Sequence, residues 1–234
     1  MKPARNRGDL LMNIRGNGLE IGALDSPVPL PPGVGVKYVD ILTREECLRH
    51  YPELPDHDAV IEPDIIAAAD DLSVLPAHSQ DFLIACHLLE HMVDPIAALE
   101  GWHRVLKPGG LLLLVLPDKR HTFDSPRNRT PLQHLIDDHH QPMGTPERDR
   151  RDLMAYREWV AISKNLRTGA QIDFWAELLR RARYNIHFHC WIPEDIRELI
   201  MYLGSFEIEE EASLKGGWEF AFLLKTVVSA GASQ

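Results

Sequence analysis

The sequence predicts an α/β fold built on a mostly parallel, Rossmann-like sheet, with its ligand at the carboxyl ends of the strands. Phe82–Cys86 and Leu111–Leu116 are short continuous apolar runs, the pattern of strands covered on both faces. Between them Ile96, Ala97, Leu99, Trp102, Val105 and Leu106 form one apolar helical stripe. Two such strands around one helix make a βαβ unit, whose crossover is right-handed. Upstream, Gly18–Gly22 and Val36–Asp40 read as two more short strands, the first ending in glycine and the second in an acid.

Taken in order, each element has a local cause. Ala23 to Gly35 carries Pro27, Pro29, Pro31 and Pro32, which exclude a regular helix between the first two strands. Thr43 and Glu46 form a capping box that opens a helix toward His50. Ala59–Glu62 is the expected third strand. Asp94 caps the helix after Phe82–Cys86, and Pro95 suits its first turn, where the missing N–H costs nothing. Pro108, Gly109 and Gly110 are expected to stop that helix. Pro193–Tyr202 reads as a helix with Glu194 and Asp195 at its first turn. Phe206–Ala212 and Glu219–Lys225 close the sheet as a pair around Gly216–Gly217. Residues 1–118 and 191–228 would form the core, 119–190 a largely helical insertion, and 229–234 a frayed tail. The insertion is too long for a plain strand-to-helix loop. It carries helical patterns around 130–137, 151–166 and 171–184 and reads as a cap over the strand tips.

In a parallel sheet of this kind ligands sit at the carboxyl ends of the strands. That places Cys86, His87 and Pro117–Asp118–Lys119 at a mouth. An acid at the tip of the second strand accepts hydrogen bonds from both hydroxyls of a ribose, and Glu20 to Asp40 has about the expected spacing. The full G-x-G-x-x-G turn is absent, so the inferred ligand has a ribose but no pyrophosphate to cradle.

The two blocks GLEIGALDSPVPLP…VKYVD and DFLIACHLLEHMVDPIAALEGWHRVLKPGGLLLLVLPDKRHTFD resemble the class I S-adenosylmethionine-dependent methyltransferases. More narrowly they are similar to a bacterial branch with E-I-G-A, L-E-H, K-P-G-G and P-D-K-R-x-T-F-D motifs, some of whose members are attached to glycosyltransferases. The resemblance covers about residues 16–138 and continues more weakly through His187–Phe188–His189. It implies a seven-stranded sheet with an antiparallel last strand, S-adenosylmethionine between the first and fourth strands, and methyl transfer to an O, N or C acceptor. By position, Glu20 and Gly22 would line the methionine end of the cofactor and Asp40 would hold the ribose. Asp70, Asp71 and Leu72 would approach the adenine, and Cys86 and His87 would follow the fourth strand to the cofactor.

His91, Asp118 and His121 lie nearest the predicted mouth and are the candidates for catalysis, since a near-neutral imidazole can deprotonate an acceptor. Methyl transfer needs chiefly alignment and exclusion of water, so a packed or surface imidazole is the competing reading for each histidine. Lys119 and Arg120 could orient an anionic acceptor group. His87–Leu88–Leu89–Glu90–His91 also matches H-x-x-E-H, an inverted zinc-protease pattern. Here it follows a buried strand at once, and Met92–Pro95 interrupts any long helix, so no metal is expected. His187 and His189 would share one side of an extended segment.

The chain has 234 residues and a net charge of −10, which argues against nonspecific nucleic-acid binding. Three scattered cysteines show neither a disulfide framework nor metal spacing. No apolar stretch is long enough to span a membrane, and a cytoplasmic protein is expected. Three functions follow as alternatives. The leading one is methyl transfer to a small-molecule or glycan-precursor acceptor. The others are a non-catalytic nucleoside-binding or partner-docking module and a zinc hydrolase using His87, Glu90 and His91. The long insertion offers surface for a homodimer, and the resemblance raises a glycosyltransferase partner.

Overall fold

The central strands are apolar at every position because both of their faces are covered. In the computed structural model, which describes residues 2–3, 6–52, 54, 56–141 and 144–227, the strands are β1 (Lys2–Pro3), β2 (Asn17–Ile21), β3 (Gly35–Asp40), β4 (Ile65–Ile66), β5 (Gln80–Cys86), β6 (Leu106–Pro117), β7 (Phe206–Leu214) and β8 (Glu219–Thr226). They form one sheet in the order β1-β7-β8-β6-β5-β2-β3-β4. β2 through β6 run parallel, and β8 is antiparallel to both β6 and β7. The seven-stranded mixed sheet expected from the sequence is present. The added β1 pairs with the outer edge of β7.

Neighbouring residues on one strand serve opposite layers. Leu83 and Ala85 of β5, with Leu112 and Leu114 of β6, pack beneath α2 (Pro95–Val105) and α6 (Pro193–Leu203). Phe82, Ile84, Leu113 and Val115 face the other way, onto Leu10, Leu11, Ile14 and Val28. That second layer is built from a short 3-10 helix at Arg7–Leu11 and the proline-rich loop after β2 rather than from long helices. Each fully buried Leu or Phe here contributes roughly 1.5–3 kcal/mol.

Gly18 fixes the spacing of β2 and β5, since a Cβ there would lie 2.3 Å from the Phe82 carbonyl oxygen. α1 (Arg44–His50) begins with the Thr43–Glu46 capping box, and α2 is capped by Asp94, whose carboxylate accepts the Ala97 N–H at 2.9 Å.

Three expectations are corrected. The third strand is Ile65–Ile66, not Ala59–Glu62. Asp64 registers it by accepting the Tyr38 N–H and donating its own N–H to the Tyr38 carbonyl. Ile61 instead donates to the Leu24 carbonyl and covers the tip of β3. Pro108, Gly109 and Gly110 do not stop α2. The helix ends at Val105 because Leu106 already pairs with Gln80 at the start of β5. His187 and His189 do not share a side; they join two different clusters, described below.

The insertion contains α3 (Leu132–His140), α4 (Pro146–Ser163) and α5 (Gly169–Arg181). α3 packs beside α2 and α6 and sends Leu135 into the main core. α4 and α5 form a hairpin around Tyr156, Ala176 and Ile186. The helices therefore flank the sheet, and the segments at the base of the insertion lie over the strand tips. An Asp118–Trp191 bridge and a Thr130 N–H bond to the Cys190 carbonyl tie those segments together. The frayed tail expected at 229–234 lies outside the described residues.

Candidate active site

β2 ends at Ile21 and is followed by Gly22, whose left-handed φ of +66° suits glycine and whose N–H is held by the Val39 carbonyl at 2.9 Å. Leu24 (φ +49°) and His87 (φ +52°) adopt the same disfavoured region beside it. Strain of this kind persists where surrounding structure imposes it, commonly at functional sites.

Asp40 sits at the tip of β3. Its carboxylate is partly buried, accepts the Leu42 N–H at 3.0 Å, and forms no ion pair with a described residue. Burial pushes its pKa up. The cleft beside it, between Ala23, Leu24, Tyr38 and Ile61, holds about 10 Å³.

Glu20 is buried and turned toward the proline-rich loop, where both carboxylate oxygens accept the Val28 N–H at 2.9 and 3.2 Å. Burial raises its pKa to about 7. Glu20 thus braces the loop that carries Gly22 and Leu24.

In the loop after β4, Asp70 and Asp71 are exposed, and Asp71 accepts the Ser73 N–H. Leu72 is part of the core, and its carbonyl takes a 2.6 Å bond from Arg104. Trp102 donates to the Ala69 carbonyl at 2.7 Å. This loop is thus positioned by α2.

Around the tips of β5 and β6 lies a polar cluster. The β6–β8 register places Glu219 opposite Pro117, at the mouth. Glu219 accepts from His87 Nε2 at 2.6 Å and from Arg7 at 2.8 and 3.1 Å. Burial opposes its ionisation, but the bonds from His87 and Arg7 prevail and hold its pKa well below the usual carboxylate range. Cys86, beside it, is a thiol pushed up to about 12 by burial.

Asp118 is buried and locked to Arg120. Burial raises its pKa, but Arg120 outweighs that and brings it down. An ion-paired carboxylate of lowered pKa is a poor general base, which weakens the expected catalytic role. His121 is exposed above the Gly216–Gly217 turn, near Gly217. Lys119 is buried and bonded to the Ser125 carbonyl, so it cannot meet an acceptor as a free cation. His91 is at the mouth, its pKa pushed down by burial.

Arg7, Glu219, Asp124, Arg127 and His187 belong to this constellation and are not singled out as site residues by the sequence. The Gly-Gly turn before Glu219, the final acid of the P-D-K-R-x-T-F-D motif at Asp124 and the His187–Phe188–His189 alternation are local signals; Arg7 and Arg127 join through long-range packing.

A second, larger cavity of about 540 Å³ lies between the 127–131 segment, α3 and α4. Arg129, Thr130, His134, Arg151 and Glu158 supply polar groups to its wall. It is separate from the Asp40 cleft.

A methyltransferase-domain family model matches residues 56–114. No curated protein sequence matches the chain. Among solved structures, the chain is similar to an S-adenosylmethionine-dependent methyltransferase from Methanosarcina mazei, with 16% identity, 97% and 100% of the two chains covered and a TM-score of 0.50. A chain in the complex of the Haloferax volcanii Trm112 methyltransferase activator with a methyltransferase gives 13% identity, 93% and 86% coverage and a TM-score of 0.51. A Pyrococcus horikoshii protein gives 17% identity, 92% and 84% coverage and a TM-score of 0.50. At these identities the likeness is one of fold. The sheet order and these neighbours give the chain the Rossmann-like fold of class I methyltransferases, and the methyltransferase-domain match covers residues 56–114 within it.

Proposed function

We propose that the protein transfers a methyl group from S-adenosylmethionine to a small polar or glycan-type acceptor. The observation that carries the donor site is Asp40, a partly buried carboxylate with no ion-pair partner among the described residues, at the tip of β3 beside the left-handed Gly22 turn. A ribose satisfies such a carboxylate with two hydroxyls, and the glycine lets the ligand approach the backbone. The residues present fit the donor. Asp40 would hold the ribose, Gly22 and the Glu20-braced loop would lie along the methionine end, and Cys86 and His87 would close the side toward β5. Asp70, Asp71 and Leu72 would edge the adenine.

When bound, the donor supplies an electrophilic methyl on a sulfonium. The chain's part is to align the acceptor, exclude water and take up any proton the acceptor releases. The narrow cleft beside Asp40 means that the Leu24–Ile61 contact must part as the donor enters. The acceptor's bulk would occupy the cavity of about 540 Å³, which lies in the range for small-molecule sites. Its arginines and acids favour a polar or sugar-like ligand over an apolar one. The test is release of S-adenosylhomocysteine over a panel of sugar, amino-sugar and small hydroxylated acceptors. Donor binding without turnover on any of them would favour the non-catalytic nucleoside-binding reading.

A further inference from the structure

We infer that Glu90, His91 and His187 form a binding site for a zinc-class divalent cation at the rim of the mouth. Glu90 and His91 lie on a single 3-10 turn, Leu89–His91, directly after β5. His187 arrives from the far end of the insertion. One ligating atom from each of the three lies within 4.8 Å of the others. A tetrahedral ion about 2.1 Å from each ligand spaces them about 3.4 Å apart, so side-chain rotations of about an ångström close the site.

Glu90 gives the independent sign of a ligand. Its side chain is buried, and neither carboxylate oxygen has a hydrogen-bond partner among the described residues. The nearest basic atom, His87 Nδ1, is 3.5 Å away, beyond a good hydrogen bond. Leaving a carboxylate in that state is costly unless a cation faces it. His87 is the one basic group that approaches Glu90, and the neighbouring guanidinium groups are already committed. Arg7 is paired with Glu219, and Arg127 with Asp124 and Glu158.

The two imidazoles are prepared in the way metal ligands are. His91 Nδ1 donates to the Ile186 carbonyl at 2.8 Å, and a carbonyl can only accept. His187 Nδ1 donates to Asp124 at 2.6 Å, and Arg127 holds Asp124 at 2.9 Å. In each neutral ring the nitrogen left with a lone pair is Nε2. Second-sphere acceptors that fix the tautomer and the ring are characteristic of bound-metal histidines. His87 is not part of the donor set: its Nε2 is bonded to Glu219 and its Nδ1 lies 3.5 Å from Glu90. Nitrogen donors with one carboxylate favour zinc, cobalt or nickel over magnesium or calcium.

The Glu90–His91 half of the H-x-x-E-H pattern set aside from the sequence thus returns with a histidine about a hundred residues away, on a short turn rather than a protease helix. On the reading of the protein as a methyltransferase, an open coordination position there would take an acceptor oxygen and lower its pKa. The metal site itself does not depend on that reading.

The test measures metal, not turnover. Chelator-stripped protein is titrated with zinc by calorimetry, and with Co²⁺ by visible absorption. The expected result is one saturable site per chain. Glu90→Gln and His187→Gln should weaken zinc binding at least about a hundredfold, and Asp124→Asn about tenfold. His134→Ala, in the separate His134–Asp138–His189 group, should leave it unchanged. Far-UV circular dichroism confirms that each variant is folded. If Glu90→Gln or His187→Gln does not fold, the Asp124→Asn shift and the cobalt spectrum of the wild type decide. Folded wild type that binds no zinc would overturn the site. So would zinc binding that survives in Glu90→Gln and His187→Gln, or that is lost in His134→Ala.

Discussion

Replacing Glu20 with glutamine isolates one buried charge. Glu20 is 2% exposed, its two oxygens share the Val28 N–H, and burial raises its pKa from 4.5 to about 7. An acid whose folded pKa is raised binds its proton more tightly in the folded state. Its contribution to stability is fully present below about pH 4.5 and is lost as pH rises through about 7. The whole gap corresponds to roughly 3 kcal/mol, of which about 2.5 kcal/mol falls between pH 5 and pH 8.

In Glu20→Gln the new amide cannot ionise, and its carbonyl still accepts from Val28. Its unpartnered N–H groups cost roughly 1–2 kcal/mol at every pH. Urea denaturation of both proteins at pH 5, 6, 7 and 8 gives the difference directly, with titrations elsewhere cancelling. The variant should be the less stable at pH 5 and should gain about 2.5 kcal/mol on wild type by pH 8, about 5–10 °C in Tm for a chain of this size. A difference that stays flat with pH within about 0.5 kcal/mol, or that moves the other way, would refute the claim that Glu20 is held as a buried, reluctant carboxylate.

Other substitutions probe the scaffold of the site. Trp102→Ala removes a fully buried ring and its bond to the Ala69 carbonyl; it should cost about 3–5 kcal/mol in urea unfolding and also weaken S-adenosylhomocysteine binding by loosening the 67–72 loop. Gly22→Ala places a side chain at φ +66° and should lower stability by about 1–2 kcal/mol by calorimetric unfolding. Gly18→Ala drives a Cβ into the Phe82 carbonyl; the expected outcome is a loss of about 3 kcal/mol or more, read from the urea midpoint, with the β2–β5 spacing disturbed.

The sheet was legible because its strands are continuous apolar runs and its helices carry standard caps. Thr43–Glu46 and Asp94–Pro95 were readable for the same reason. Ile65–Ile66 was not, since a two-residue strand has no period and is set by Asp64 hydrogen-bonding to Tyr38. The end of α2 was misread because Lys107–Gly110 looks like a helix stop, yet the chain had already entered β6 at Leu106.

The place of Asp40 at the end of β3 was readable because the short strand Val36–Asp40 closes on an acid. The cluster around Glu90 was legible only in pieces: H-x-x-E-H, Asp124 and His187 are each visible in the sequence, but their meeting is set by the insertion, which spacing does not show. His189 shows the same limit. Two residues from His187, it is buried, stacks on Trp191, and has its pKa pushed down to about 3 by burial.

The central claim, a nucleoside donor held at the tips of β2 and β3, is tested most directly by calorimetric titration of the purified protein with S-adenosylhomocysteine. NAD serves as the control, and Asp40→Ala as the paired variant. The account predicts saturable binding of S-adenosylhomocysteine, none of NAD, and an affinity at least about tenfold weaker in folded Asp40→Ala, or roughly 1.4 kcal/mol. Equal affinity in the variant would contradict the placement of the ribose, and no binding by the folded wild type would contradict the donor site itself.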